Sequence, residues 1–309
     1  AATLNAGTNL TAQNVKAGGA ATLHAGTDLT AQNVSAGGKA ELTAGHDAAI
    51  NGTVTTGGDL TARAINDLTV RGAILSHGMA QIDAGHDVAI DGTVTTDGDL
   101  KAHATNDLTL NGAISSHGMT QIDAGHDAKF NGNLTSDKDL TILAKNNIIT
   151  KEGATLYTKA DGRLKAHAAE LGGDVRADGT LTIETDDTLT AKNVTAGKAA
   201  TLKAGTDLKA ANVTAEEAAT LNAGTNLTAQ NVSAGGTATL NAGTQITAQN
   251  VTAGGKATLT AGTSLKANDV KAGGAADLHS QKEMETGSIS ADTVKLRAED
   301  GDIHSHGAV

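Results

Sequence analysis

The 309 residues contain no cysteine, no proline and no tryptophan, with a single phenylalanine, Phe130, and a single tyrosine, Tyr157. Without cysteine there is neither a disulfide scaffold nor a thiolate-ligated zinc. Without proline, nearly every backbone N–H is free to join a hydrogen-bond ladder. A globular core of this length ordinarily draws on aromatic side chains. Here Ala, Leu, Val and Ile must serve, which suits a narrow interior. Basic residues are also short, 23 against 34 acidic. The resulting net charge of −11 argues against the basic stripe that nucleic acid or another polyanion requires. No apolar run approaches the roughly 18 residues of a membrane span. No signal peptide is evident and the chain opens in mid-repeat at Ala1-Ala2-Thr3-Leu4, which reads as an excerpt of a longer protein.

What the sequence does have is a period. Leu202, Leu221, Leu240, Leu259 and Leu278 recur at a strict 19-residue step, and so do Leu4, Leu23 and Leu42. Columns at Leu208, Leu227, Ile246 and Leu265, and at Val213, Val232, Val251 and Val270, keep the same step. A fixed period of about 20 residues is the mark of a solenoid, in which each repeat covers the apolar face of the next. Within one repeat, Ala21, Leu23 and Ala25, then Leu29 and Ala31, then Val34 and Ala36 alternate with polar residues. Alternation with period 2 means strands with one face buried. Ala-Gly-Thr-Asp, Gln-Asn and Gly-Gly between the runs are turn compositions. The prediction is an all-β chain, a triangular parallel β-helix with coils of about 19–20 residues and three short strands per coil.

The 19-residue form occupies residues 1–44 and 183–280. Over residues 45–149 a 40-residue unit repeats, Gly45-His-Asp-Ala-Ala-Ile-Asn-Gly-Thr-Val returning at Gly85 and beginning again at Gly125. That step equals two coils of about 20 residues, with a slightly larger corner. Residues 150–182 are irregular and residues 281–309 divergent, and coils are expected in both. No flexible linker interrupts the chain, so residues 1–309 read as a single domain. With no capping element at either end, exposed strand edges predict weak axial self-association.

The stretch Ala219 to Gly236, Ala-Thr-Leu-Asn-Ala-Gly-Thr-Asn-Leu-Thr-Ala-Gln-Asn-Val-Ser-Ala-Gly-Gly, resembles the 19-residue repeats of filamentous haemagglutinin, the pertussis-type adhesin. It is similar more broadly to the haemagglutinin repeats of two-partner-secreted exoproteins, including contact-dependent inhibition toxins. The resemblance implies a right-handed β-helix and export through the outer-membrane pore of the two-partner system. It also implies display at the bacterial cell surface as a long fibre that meets host-cell receptors or glycans. The lack of cysteine agrees with export as an unfolded chain. No Arg-Gly-Asp tripeptide occurs, since Arg71-Gly72 is followed by Ala73.

Several residues invite a functional reading. His46, His86 and His126 each stand in Gly-His-Asp, two coils apart, roughly 9–10 Å, and so cannot share one zinc ion directly. They read as corner residues bonded within their own turn, as do His77 and His117, with incidental metal binding the alternative. Asp28, Asp47, Asp67, Asp87, Asp107 and Asp127 form a column expected on an exposed corner, with calcium the alternative. Asn14, Asn33, Asn193, Asn212, Asn231 and Asn250 suggest a ladder along the coil axis, inaccessible to modification. Gly7, Gly26, Gly205, Gly224, Gly243 and Gly262 read as positive-φ corners. Glu283, Glu285 and Arg297 are unrepeated and suggest a terminal surface. No residue is assigned as catalytic, cofactor-binding or metal-ligating, and no cofactor is expected.

The leading function is structural and not enzymatic: the shaft of a secreted, cell-surface filamentous adhesin, a rigid spacer for attachment to host cells. The stalk of a contact-dependent inhibition toxin is the close alternative. A polysaccharide-processing β-helix enzyme would need an unrepeated acidic and basic constellation in a cleft. Direct glycan or receptor binding along the Thr-bearing faces is the third possibility.

Overall fold

The computed structural model describes all 309 residues, and every regular element is a β-strand. The chain divides into two compact units, Ala1–Ala160 and Asp161–Val309. Each is a right-handed parallel β-solenoid of eight coils.

In the first unit the opening strand of each coil pairs with its successor in register. Ala21–Ala25 lies on Ala40–Ala44, and Leu23 falls on Leu42. The next strand, Leu29–Ala36, is continuous but bends: Gln32 and Asn33 are both exposed, breaking the inside–outside alternation. Its two halves pair separately with Ala48–Ile50 and Val54–Thr56. The second and third strands thus run together in the 19-residue coil and separate in the longer one. Ala31 pairs with Ile50, but Val34 pairs with Val54. The added residue therefore sits where Asn51-Gly52-Thr53 replaces Gln32-Asn33.

Side-chain volume explains the 40-residue period. One interior column runs Ala40, Leu60, Ala80, Leu100, and its neighbour runs Leu42, Ala62, Ile82, Ala102. Large and small residues exchange places at each coil, so the volume per coil holds nearly constant in a close-packed interior. The same compensation accommodates the fully buried Phe130, which has Ala128 on the same inward face. The third strands end in a column of buried hydroxyls, including Ser76, Ser116 and Ser136. These donate to the carbonyl oxygens of Gly58, Gly98 and Gly118, each at 3.0 Å. A buried hydroxyl satisfied in this way carries little desolvation cost.

In the second unit a 19-residue step runs from Leu181 through Ala200, Ala219, Ala238 and Ala257 to Ala276. Strand Ala168–Ala177 carries a bulge between Leu171 and Asp174, the position of Gly172-Gly173. The last coil of the first unit has its own irregularity, a 22-residue step from Leu134 to Leu156 that passes through Gly153. Gly153 is the one residue with positive φ, at 87°.

The recurring corner glycines therefore differ from expectation. Gly7, Gly26, Gly205, Gly224, Gly243 and Gly262 all have ordinary φ, and for all of them but Gly7 the reason for glycine is proximity. A Cβ on Gly26 would overlap the carbonyl oxygen of Gly7, and one on Gly243 would overlap that of Gly224.

Candidate functional site

One corner of the first unit brings together the Gly-His-Asp histidines and the aspartate column. Six successive coils present a pair of residues there, Thr27-Asp28, His46-Asp47, Asn66-Asp67, His86-Asp87, Asn106-Asp107 and His126-Asp127. From Asp47 onward the backbone N–H of each Asp donates to Oδ1 of the Asp one coil earlier: Asp47 to Asp28 at 3.3 Å, Asp67 to Asp47 at 3.2 Å, Asp107 to Asp87 at 3.0 Å. The preceding side chain donates to the same carboxylate. Asn66 reaches Asp47 and Asn106 reaches Asp87, both at 2.8 Å, while His86 Nδ1 lies 2.8 Å from Asp67. The column is therefore half-buried, not freely exposed, and each side chain bonds the neighbouring coil, while the histidines also face the Asp of their own turn.

Those donors are what make a stack of carboxylates tolerable at about 4.8 Å per coil. Burial pushes Asp107 upward, but Lys129, His126 and the Asp127 amide outweigh it and hold the group at about 2. Its hydrogen bond to Asp67, reinforced by the charge of Asp87, raises His86 above its usual value.

The histidine gaps differ from the asparagine gaps in one respect. Nδ1 of His46 faces Asp28 Oδ1 and Asp47 Oδ2, both at 3.3 Å. Nδ1 of His86 faces Asp67 Oδ1 at 2.8 Å and Asp87 Oδ2 at 3.4 Å. In the third copy His126 lies 2.8 Å from Asp107 and 3.7 Å from Asp127, and the Lys129 ammonium bridges the same two carboxylates at 2.9 and 3.1 Å. Reading histidines and aspartates as separate columns hides this diagonal meeting. Its signal in the sequence is an Asp that precedes the Gly-His-Asp histidine by 18 positions in the first copy and by 19 in the others.

His77 and His117 flank Asp97, at 2.8 and 3.4 Å, and hold its carboxyl below the usual range. The asparagine ladder forms as expected, with Asn33 donating to Asn14 at 3.0 Å and Asn250 to Asn231 at 2.7 Å. It stands at an exposed corner, however, so these side chains are accessible.

The sequence profile of the haemagglutinin repeat matches residues 1–45, 35–90, 78–142, 131–169, 160–233 and 211–298. The chain belongs to the haemagglutinin-repeat family. No curated protein and no solved structure matches it.

Elsewhere on these haemagglutinin repeats the surface features are modest. A depression of about 290 Å³ lies beside Asn14, Lys16 and Asn33, and another of about 210 Å³ lies beside Glu170, Lys192 and Lys209 near the bulge. Glu285 pairs with Lys266 at 2.9 Å, while Arg297 pairs with Glu299 at 2.7 Å, so the unrepeated residues of the terminal tract enter separate ion pairs.

The corner chemistry of the second unit yields a pH expectation. Asp207 accepts hydrogen bonds from the Thr225 hydroxyl and from the backbone and side chain of Asn226, which lower its pKa from the ordinary 3.8. A depressed carboxylate contributes stability that is present above its unfolded pKa and lost as pH falls through the folded one. The loss here should fall below pH 3.8. Carboxyl ¹³C titration should place the Asp207 midpoint below that value, and Asn226→Ala should move it upward. A midpoint at or above the ordinary value would show that these bonds do not form in solution.

Proposed function

We propose that the chain is shaft throughout its 309 residues, a rigid spacer of a secreted filamentous adhesin on the bacterial surface. In this reading it is exported through the outer-membrane pore of a two-partner system, and the full fibre meets host-cell receptors or glycans. Catalysis is not part of its role. The observation that carries the proposal is coil-to-coil equivalence. Across the second unit, Thr190, Lys209, Thr228, Thr247 and Lys266 occupy one outward position, and Asn193, Asn212, Asn231 and Asn250 another. A surface on which each position has close copies in its neighbours supports a spacing role. A catalytic centre needs a unique constellation. Family membership supports the same reading.

Such a shaft tolerates removal of a whole coil. Deleting residues 219–237 joins Ala218 to Ala238, which stands where Ala219 stood in the register. The deleted fibre should fold, reach the surface and support attachment close to the unaltered level. Attachment abolished with folding and display intact would place binding or chemistry in the coil itself, against the proposal.

A further inference from the structure

We propose that Asp28, His46 and Asp47, and again Asp67, His86 and Asp87, each bind one divalent ion of the zinc class, bridging two adjacent coils. The ligand atoms within each group lie within 4.8 Å of one another. Zinc-class ions sit about 2.0–2.2 Å from imidazole nitrogen and carboxylate oxygen, so neighbouring ligand atoms about a tetrahedral or octahedral ion are roughly 2.9–3.5 Å apart. The nitrogen–oxygen separations of 3.3 and 3.3 Å in the first group and 2.8 and 3.4 Å in the second fall in or next to that range. A neutral ring has one Nδ1 proton and can serve only one of the two oxygens it faces. An ion in place of that proton serves both. The Asp47 and Asp87 amides hold the Asp28 and Asp67 carboxylates in orientation from the next coil, as outer partners of metal ligands do. One imidazole and two carboxylates are too few oxygen donors for a calcium cage, and the nitrogen favours a transition ion.

A second observation points independently to a cation. In the third copy the chain supplies its own: the Lys129 ammonium lies 2.9 Å from Asp107 and 3.1 Å from Asp127. Strand register places Ala49 and Ala89 at the same position in the first two copies. The carboxylate pair is thus shaped for a positive charge, and two copies lack the lysine that provides it. Asp107, His126 and Asp127 consequently take up no ion while Lys129 is present.

The test uses the untagged chain, titrated with Zn²⁺ by calorimetry and with Co²⁺ by visible absorption. Two ions per chain are expected, with an upward shift in thermal unfolding on loading. His86→Asn should leave one ion. This variant is expected to fold, because Asn66 and Asn106 already occupy the same corner in the alternate coils. Lys129→Ala should raise the count to three by freeing the third copy. The ¹⁵N shift of His86 should report ligation through Nδ1. Absence of saturable binding, a count unchanged by His86→Asn, or no added site in Lys129→Ala would each overturn the assignment.

Discussion

Leu221→Asp is expected to collapse its coil and loosen the coils on either side. Leu221 is fully buried and pairs in register with Leu202 below and Leu240 above. Truncating a buried leucine costs about 2–5 kcal/mol. A carboxylate with no partner adds a desolvation cost, so the total should lie at or beyond the upper end of that range. In a solenoid, stability is approximately a sum over repeats and their interfaces, so the damage concentrates in the altered coil and its neighbours. Thermal unfolding should shift strongly downward, and hydrogen exchange should accelerate first in Ala219–Ala223 and next in the adjoining Ala200–Ala204 and Ala238–Ala242. Thr228→Asp, at an exposed position, provides the contrast and should change stability by less than about 0.5 kcal/mol. Equal stability of the two variants would place the leucine column outside.

Gly112→Ala is expected to be among the most damaging single methyls added to the first unit. At this corner Gly72, Gly92, Gly112 and Gly132 stack so closely that a Cβ on each overlaps the carbonyl oxygen of the glycine below. The obstructing atom is backbone fixed in a ladder, not a side chain able to swing away. Overpacking of this kind costs about 1–3 kcal/mol, and the ladder gives little room for relief. Gly153→Ala tests the other reason for glycine: nothing obstructs its Cβ, but φ of +87° penalises any side chain, by about 1–2 kcal/mol. Gly7→Ala has neither problem and should be close to neutral. Denaturant unfolding of the three variants should rank Gly112 first and Gly7 last. A neutral Gly112→Ala would mean that the coils do not approach as closely as described.

The register of the solenoid is legible in the sequence because each coil is the template for the next. Leu23 over Leu42 and Asn231 over Asn250 follow from the 19-residue step alone. The 40-residue unit is legible as two coils, but its cause is not, since the exchange of Leu60 and Ala62 with Ala80 and Ile82 becomes meaningful only when both columns share one interior. The corner glycines are open to misreading for the same reason. A glycine required by positive φ and one required by the carbonyl of the coil below look identical in one dimension. The His–Asp groups are hidden because their atoms come from consecutive coils and meet on a diagonal, whereas periodicity compares each position only with its own copies.

Parallel stacking at a constant step is open to direct measurement, and the absence of native cysteine makes it simple. Thr190, Lys209, Thr228, Thr247 and Lys266 lie on successive coils of the second unit at one outward position. Spin labels on paired cysteine substitutions at 190 with 228, 247 and 266 should report mean separations rising by about 4.8 Å per coil, reaching about 19 Å for the last pair. Equal increments with narrow distributions are the expected result. Distances that fail to rise in step, or a broad distribution for the 190–266 pair, would contradict the coiled shaft.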